Sequence, residues 1–326
     1  VPPNVVTHQI RDIRDAAERL KAGQLIAFPT ETVYGLGANA LNPTAVARIF
    51  EAKNRPLFDP LIVHIADPRH LSDVVRQLPE FALQLAERFW PGPLTMILPK
   101  SEGIPDLVTA GLAGVGVRIP DHPLALQLLR ATECPIAAPS ANPFGGVSPT
   151  TAEHVLQGLN DRIDGVLDGG RCQIGLESTV VSLMGTNPVV LRLGGLPLES
   201  IEEVTGPLQI ATGNPELSDT AQPAPGMLSR HYAPATSIVV VSHDATIRPT
   251  HPRTALLTWG PTSTGDRRYA AVENLSETGD LTECAANFFA ALRTLDAANP
   301  DVIIARSFPE RGLGRALNDR LKRASS

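Results

Sequence analysis

Two cations separated by one residue, in the run Lys53-Asn54-Arg55-Pro56, are spaced to meet a single anion. A guanidinium is a flat fork matching two phosphate or carboxylate oxygens and an ammonium is a compact charge, so the pair suits a polyphosphate. The same two residues would also serve as a solvated helix C-terminus, where cations are favoured by the dipole. Arg118 poses a sharper question. It interrupts the apolar run Val115-Gly116-Val117-Arg118-Ile119-Pro120, and a buried guanidinium requires either an internal carboxylate or a bound anion. His64 stands in the similar run Leu61-Ile62-Val63-His64-Ile65, on the face opposite Leu61, Val63 and Ile65.

Hydroxyls, amides and glycines surround these charges in the sequence. Pro29-Thr30-Glu31-Thr32-Val33-Tyr34-Gly35-Leu36-Gly37 reads as a hydroxyl-rich turn at the carboxyl end of a strand, a place where ligands collect. Pro139-Ser140-Ala141-Asn142, followed by Gly145, Gly146 and Ser148, offers backbone N–H groups and side chains able to cradle phosphates or purine edges. Ser178 and Thr179 open one later strand and Arg192 stands in another. Each fragment also has an ordinary structural reading as a turn or strand end.

The elements that must position these groups form an α/β pattern. Apolar spacing predicts a helix over 10–20, and the pair Asn42-Pro43 caps another that runs through Phe50 and carries Lys53 out at its end. Short apolar runs predict strands at 25–28, 61–65, 95–98, 116–119, 136–138, 179–183 and 189–193. A Pro/Gly-rich stretch over 206–236 suits neither helix nor sheet and reads as a linker. Beyond it, strands at 238–241, 255–259 and 302–305 and an amphipathic helix at 285–295 predict a small α/β domain. The expected domains are thus 1–205 and 237–326, joined by that linker, with the run 320–323 as a solvated helix end.

Composition narrows the function classes. Hydrophobic residues make up 43% and charged residues 19% of the 326, which is globular and not disordered. No apolar run is long enough to span a bilayer and no signal-peptide pattern opens the chain, so the expectation is a cytoplasmic protein with no membrane partner. Cys134, Cys172 and Cys284 lack C-x-x-C spacing and read as small buried hydrophobes. The net charge of -6 and 4% aromatics argue against an RNA-binding module with a basic, aromatic stripe. No His-Asp or Cys-His pairing proposes a covalent nucleophile.

Taken together, Pro29 to Gly37, Lys53-x-Arg55-Pro56, Pro60-Leu61-Ile62-Val63-His64, Val117-Arg118-Ile119-Pro120, Pro139-Ser140-x-Asn142 and Glu177-Ser178-Thr179 resemble, in order and spacing, the YrdC-like threonylcarbamoyl-AMP synthases. The match runs over about 10–196. The His231-Tyr232-Ala233-Pro234 segment and the small tail domain resemble the long form of that family. The resemblance implies a YrdC-like twisted mixed sheet with helices, then a linker and a Rossmann-like domain. It implies L-threonine at Thr32, His64, Arg118, Ala138 and Ser178, and ATP at Arg55, Asp59, Gly114, Ser140, Asn142, Ser148, Arg192, His231 and Tyr232. Lys53 and Arg55 would do the catalytic work on the phosphates, with no protein metal site and with Mg2+ arriving alongside ATP. Asp59 stands where relatives commonly carry Asn, and it would either repel the triphosphate or hold that magnesium.

The reaction so implied joins L-threonine, bicarbonate or CO2 and ATP into threonylcarbamoyl-AMP and pyrophosphate, for the threonylcarbamoyl-adenosine modification of tRNA. Implied partners are a tRNA threonylcarbamoyl-transferase complex that takes the product, and a weak contact with tRNA itself. A carbamoyl-transfer enzyme of related fold serving another acceptor is the nearest rival. The run Arg230 to Pro234 is expected to fold over the nucleotide as a lid that excludes water.

Overall fold

A computed structural model describes residues 5–211, 224–226, 231–261 and 268–326. Most of the expected linker, with Gly213, Pro215, Pro223 and Arg230, lies outside them.

The first domain is built on an eleven-stranded mixed sheet. Its strands run in the spatial order His8–Ile10, Gly165–Leu167, Ile26–Phe28, Gly35–Asn39, Ile136–Ala137, Ile62–His64, Gly114–Arg118, Leu94–Pro99, Thr179–Ser182, Val189–Arg192 and Gln209–Ile210. All seven runs expected to be strands in this domain are strands. The last three residues of the expected turn over 29–37 are strand, because Gly35–Asn39 pairs antiparallel with Ile26–Phe28. Gly37 is what permits that pairing, since a Cβ there would lie 2.9 Å from both Ile136 and Phe28. The strand Gln209–Ile210 pairs parallel with Val189–Arg192, so the sheet extends past the boundary expected at 205.

Alternation sorts the central strands. Leu61, Val63 and Ile65, with Val115, Val117 and Ile119, enter the largest hydrophobic core. His64 and Arg118 lie in register across the two parallel strands that carry them and take the opposite face. The helix Pro43–Lys53 is started by Asn42, whose Oδ1 accepts from the backbone N–H groups of Thr44 and Ala45, and is stopped by Asn54 in the left-handed region at φ 53°. That stop turns the chain so that both neighbouring cations point inward. Lys53 and Arg55 are buried, not solvated as the helix-end reading expects.

The second domain is a four-stranded parallel sheet in the order Ile238–Val241, Val302–Arg306, Thr254–Thr258 and Ala271–Asn274, with the helices Leu281–Ala297 and Leu313–Ala324. Its core is not private. Val33, Val147 and Leu176 of the first domain belong to the same cluster as Phe288, Phe289, Leu317 and Tyr232. At Gly175 the contact is backbone on backbone, and a Cβ there would lie 2.5 Å from Ala285 O. Arg320 corrects the expectation of a solvated 320–323 helix end, because it is fully buried between the domains. No helix among the described residues is long and apolar enough to cross a membrane.

Candidate active site

One cleft, open to solvent, gathers groups from the first domain and the connecting segment. Thr32, His64, Arg118, Ala138 and Ser178 all line it, as do Arg55, Ser140, Arg192, His231 and Tyr232. Residues separated by up to 200 positions in sequence therefore meet as the motif set requires.

Arg118 answers the question its burial posed. Its Nη2 donates to the Glu31 carboxylate, its Nη1 to Thr32 Oγ1 at 2.9 Å and its Nε to Gly92 O at 3.2 Å. A guanidinium carries five N–H donors, so two stay available to a ligand carboxylate in the cleft. Thr32 is held in turn, its hydroxyl 2.8 Å from that of Thr30. His64 is neutral, its pKa pushed down to about 3 by burial and by the nearby Arg118, and its Nδ1 is buried without a partner.

Arg55 Nε and Nη2 donate to the carbonyls of Asp59 and Pro60 at 3.0 and 2.7 Å, with its guanidinium 5.9 Å from the Phe144 ring centroid. Asp59 is fully buried, 3.0 Å from Arg55 Nη2 at an angle that makes an ion pair without an aligned hydrogen bond. It does not line the cleft, so its carboxylate acts on the Arg55 side chain rather than facing a triphosphate. Burial pushes its pKa up against the pull of Arg55, Lys53 and Arg192. Arg192 Nε and Nη2 hold Ser178 O at 3.1 and 2.9 Å, and its Nη1 reaches Pro225 O at 3.0 Å.

Four further expectations are relocated. Lys53 does not line the cleft, its ammonium donating to Ser140 O at 2.6 Å and to Asn142 O, so it braces the loop. Asn142 locks the same loop by donating to Pro143 O and Gly146 O at 2.9 and 2.8 Å. Ser148 is buried and donates to Glu177 Oε1 at 2.5 Å, one side chain behind the cleft wall. Gly114 begins the strand whose other end carries Arg118, packed against Ile97 and Met184 and away from the cleft. A strand advances about 3.3 Å per residue, so four residues of separation remove it from the site.

Sequence reasoning passed over two carboxylates that the motifs contain, Glu31 and Glu177, and one cation outside them, Arg320. A usable signal existed for Arg320: Leu313, Ala316, Leu317, Leu321 and Ala324 set the buried face of its helix, and position 320 falls on it. The connecting segment contributes two orphaned atoms. His231 Nδ1 and Tyr232 Oη are buried without partners, with the His231 and Tyr232 rings 4.0 Å apart. Buried polar atoms of this kind point to a ligand that completes them. Taken together, the cleft is lined by three arginines, Arg118, Arg55 and Arg192.

Comparison with known proteins identifies the family. The Sua5/YciO/YrdC family profile, described as "Telomere recombination", matches residues 18–194. A profile described as "Threonylcarbamoyl-AMP synthase, C-terminal domain" matches residues 196–326. The threonylcarbamoyl-AMP synthase of Pyrococcus abyssi is 47% identical, covering 96% of this chain and 94% of that protein, and the Bacillus subtilis enzyme of that name is 46% identical over 96% and 92%. The crystal structure of P. abyssi Sua5 complexed with L-threonine superposes with a TM-score of 0.88 at 44% identity, covering 98% of this chain and 97% of that one.

Proposed function

Because the chain belongs to the long-form Sua5 family of threonylcarbamoyl-AMP synthases, we propose that it condenses L-threonine, bicarbonate or CO2 and ATP into threonylcarbamoyl-AMP and pyrophosphate, with one water released when bicarbonate is the carbon source, as a nucleotidyltransferase serving tRNA modification. The observation that carries this reading is the gathering in one cleft of Arg118, which keeps two unused N–H donors, with Arg55 and Arg192.

Arg118 and Thr32 hold the threonine carboxylate, leaving the amine free to meet the one-carbon unit. Neutral His64 is suited to accept from the amine or hydroxyl, since a protonated imidazole beside Arg118 would repel the ammonium instead. The carbamate so formed is short-lived in water, so proximity to the α-phosphate governs the yield. Arg55 and Arg192 offset the charge that grows as pyrophosphate departs in line, while Lys53 acts by fixing Ser140. His231 and Tyr232 close the wall and exclude water.

No group of three or more His, Cys, Asp or Glu among the described residues could hold a metal. The carboxylates around the cleft are each paired with an arginine: Glu31 with Arg118, Asp59 with Arg55, and Glu177 with Arg320. Mg2+ accompanying ATP is part of the same proposal, and it would supply charge neutralisation on the phosphates. A cytoplasmic setting, transfer of the product to a tRNA threonylcarbamoyl-transferase complex and a weak contact with tRNA belong to the same proposal.

The test is pyrophosphate release from ATP, with threonine and bicarbonate added or withheld and serine as a competing acceptor. Release that requires both threonine and bicarbonate is expected. Release independent of threonine, or driven equally by serine, would overturn the reading.

A further inference from the structure

Arg320 is a permanent cation with no exposed surface, carried by the last helix of the second domain and held by the first. Its Nε donates to Glu177 Oε2 at 2.9 Å and its Nη2 to Leu193 O at 2.9 Å, while Nη1 takes Asp319 at 2.7 Å. Its guanidinium lies 4.8 Å from the Tyr232 ring centroid. Three of these four contacts lead to the cleft. Glu177 lines the cleft and holds Ser148 through its other oxygen, at 2.5 Å. Leu193 follows Arg192, and Tyr232 is itself a cleft residue.

We propose that Arg320 is a positioning residue through which the second domain sets the nucleotide half of the cleft: it cancels the charge of Glu177, and with it fixes Ser148, Arg192 and Tyr232. Two physical arguments converge on this. A carboxylate in the wall of a site that must accept a polyphosphate repels it by an amount that grows as the local dielectric falls, unless a cation neutralises it from behind. Arg320 reaches Glu177 Oε2 without itself lining the cleft. The fork geometry of Arg also ties two neighbouring strands, Thr179–Ser182 and Val189–Arg192, at the ends that carry Ser178 and Arg192. The cation–π contact fixes the Tyr232 ring against the same group.

The inference rests on the nucleotide reading of the cleft, so ATP binding to the unaltered full-length protein is measured first by calorimetry, and its absence would count against that reading alone. With binding established, R320M is expected to raise the ATP dissociation constant about tenfold, while that for threonine moves by less than about twofold. The charge argument further requires that E177Q/R320M, which removes the stranded carboxylate, return ATP affinity to within about threefold of the unaltered protein. A merely structural arginine would give a double variant no better than the single one. Should R320M fail to fold, R320K replaces it: the ammonium keeps the neutralisation but cannot span Glu177 and Leu193 O, and a rise of about threefold for ATP alone is expected. Unchanged ATP affinity in folded R320M, equal weakening for ATP and threonine in either variant, or no recovery in the double variant overturns the proposal.

Discussion

Arg118 and Glu31 form a buried ion pair in which both side chains are about one-twentieth exposed, and the pair sits where an amino-acid carboxylate is to be bound. The internal partner neutralises the arginine without using up its fork. Arg118→Ala is therefore expected to weaken threonine binding by at least about tenfold and ATP binding far less. It should also destabilise the fold by about 3 kcal/mol, because Glu31 is left charged and alone. Calorimetry of each ligand with a denaturation curve checks both, and Arg118→Ala with Glu31→Gln should recover stability but not threonine affinity.

Lys53 packs without exposure and holds two loop carbonyls. Its replacement by alanine should cost about 2–4 kcal/mol of stability together with turnover, since a cavity and two abandoned acceptors are left behind. Urea unfolding reads the first and pyrophosphate release the second. A Lys53→Ala protein as stable as the unaltered one would show that the ammonium does not brace the loop.

Tyr232 separates a ligand contact from a packing contact. Its hydroxyl has no protein partner, whereas its ring packs on Phe289 and beneath Arg320. Tyr232→Phe should leave the melting temperature equal or higher while reducing adenylate retention, and Tyr232→Ala should lower stability by about 3–5 kcal/mol. Saturating ATP and threonine should slow protease cleavage between 207 and 236 in the unaltered chain. Cleavage at the same rate with and without ligands would rule out closure over the nucleotide.

His64 gives the stability a defined acid slope. The folded pKa is about 3 through burial, with Arg118 adding to it, and an unfolded histidine titrates near about 6.5. As pH falls between these values the unfolded chain takes up a proton the folded one refuses, so stability falls by up to about 1.4 kcal/mol per unit. Above about pH 6.5 both states are neutral and this contribution is flat. Burial lowers the pKa of His154, to about 4, and of His231, so the unaltered protein carries several such slopes. His64→Asn should lessen the steepness by about one proton between pH 4 and 6 and leave the region above pH 7 parallel. Urea midpoints across that range measure it.

The central strands were legible because alternation with a buried face leaves a strong mark: Leu61, Val63 and Ile65 could only share a face, and His64 had to take the other. Gly35–Asn39 was hidden because two of its five residues are glycine, chosen for close packing on Phe28 and Ile136 and carrying no β preference. His8–Ile10 and Gln209–Ile210 are too short to show a period. In the site, the identity of the groups was readable but their depth was not. Lys53 next to a helix end looks solvated until the left-handed Asn54 turns the chain inward. Arg320 carries no local sign of Glu177, which is 143 residues away.

The hydrophobic cluster shared by Val33, Val147 and Leu176 with the second domain's helices is expected to make the two sheets melt as one unit. A chain cut after the first sheet would not shed an appendage. It would present those three side chains, and the backbone around Gly175, to water as a new apolar surface. Heat should accordingly produce a single cooperative absorption peak, and any fragment ending near residue 206 should be recovered as aggregate or with a bound chaperone rather than as a free domain.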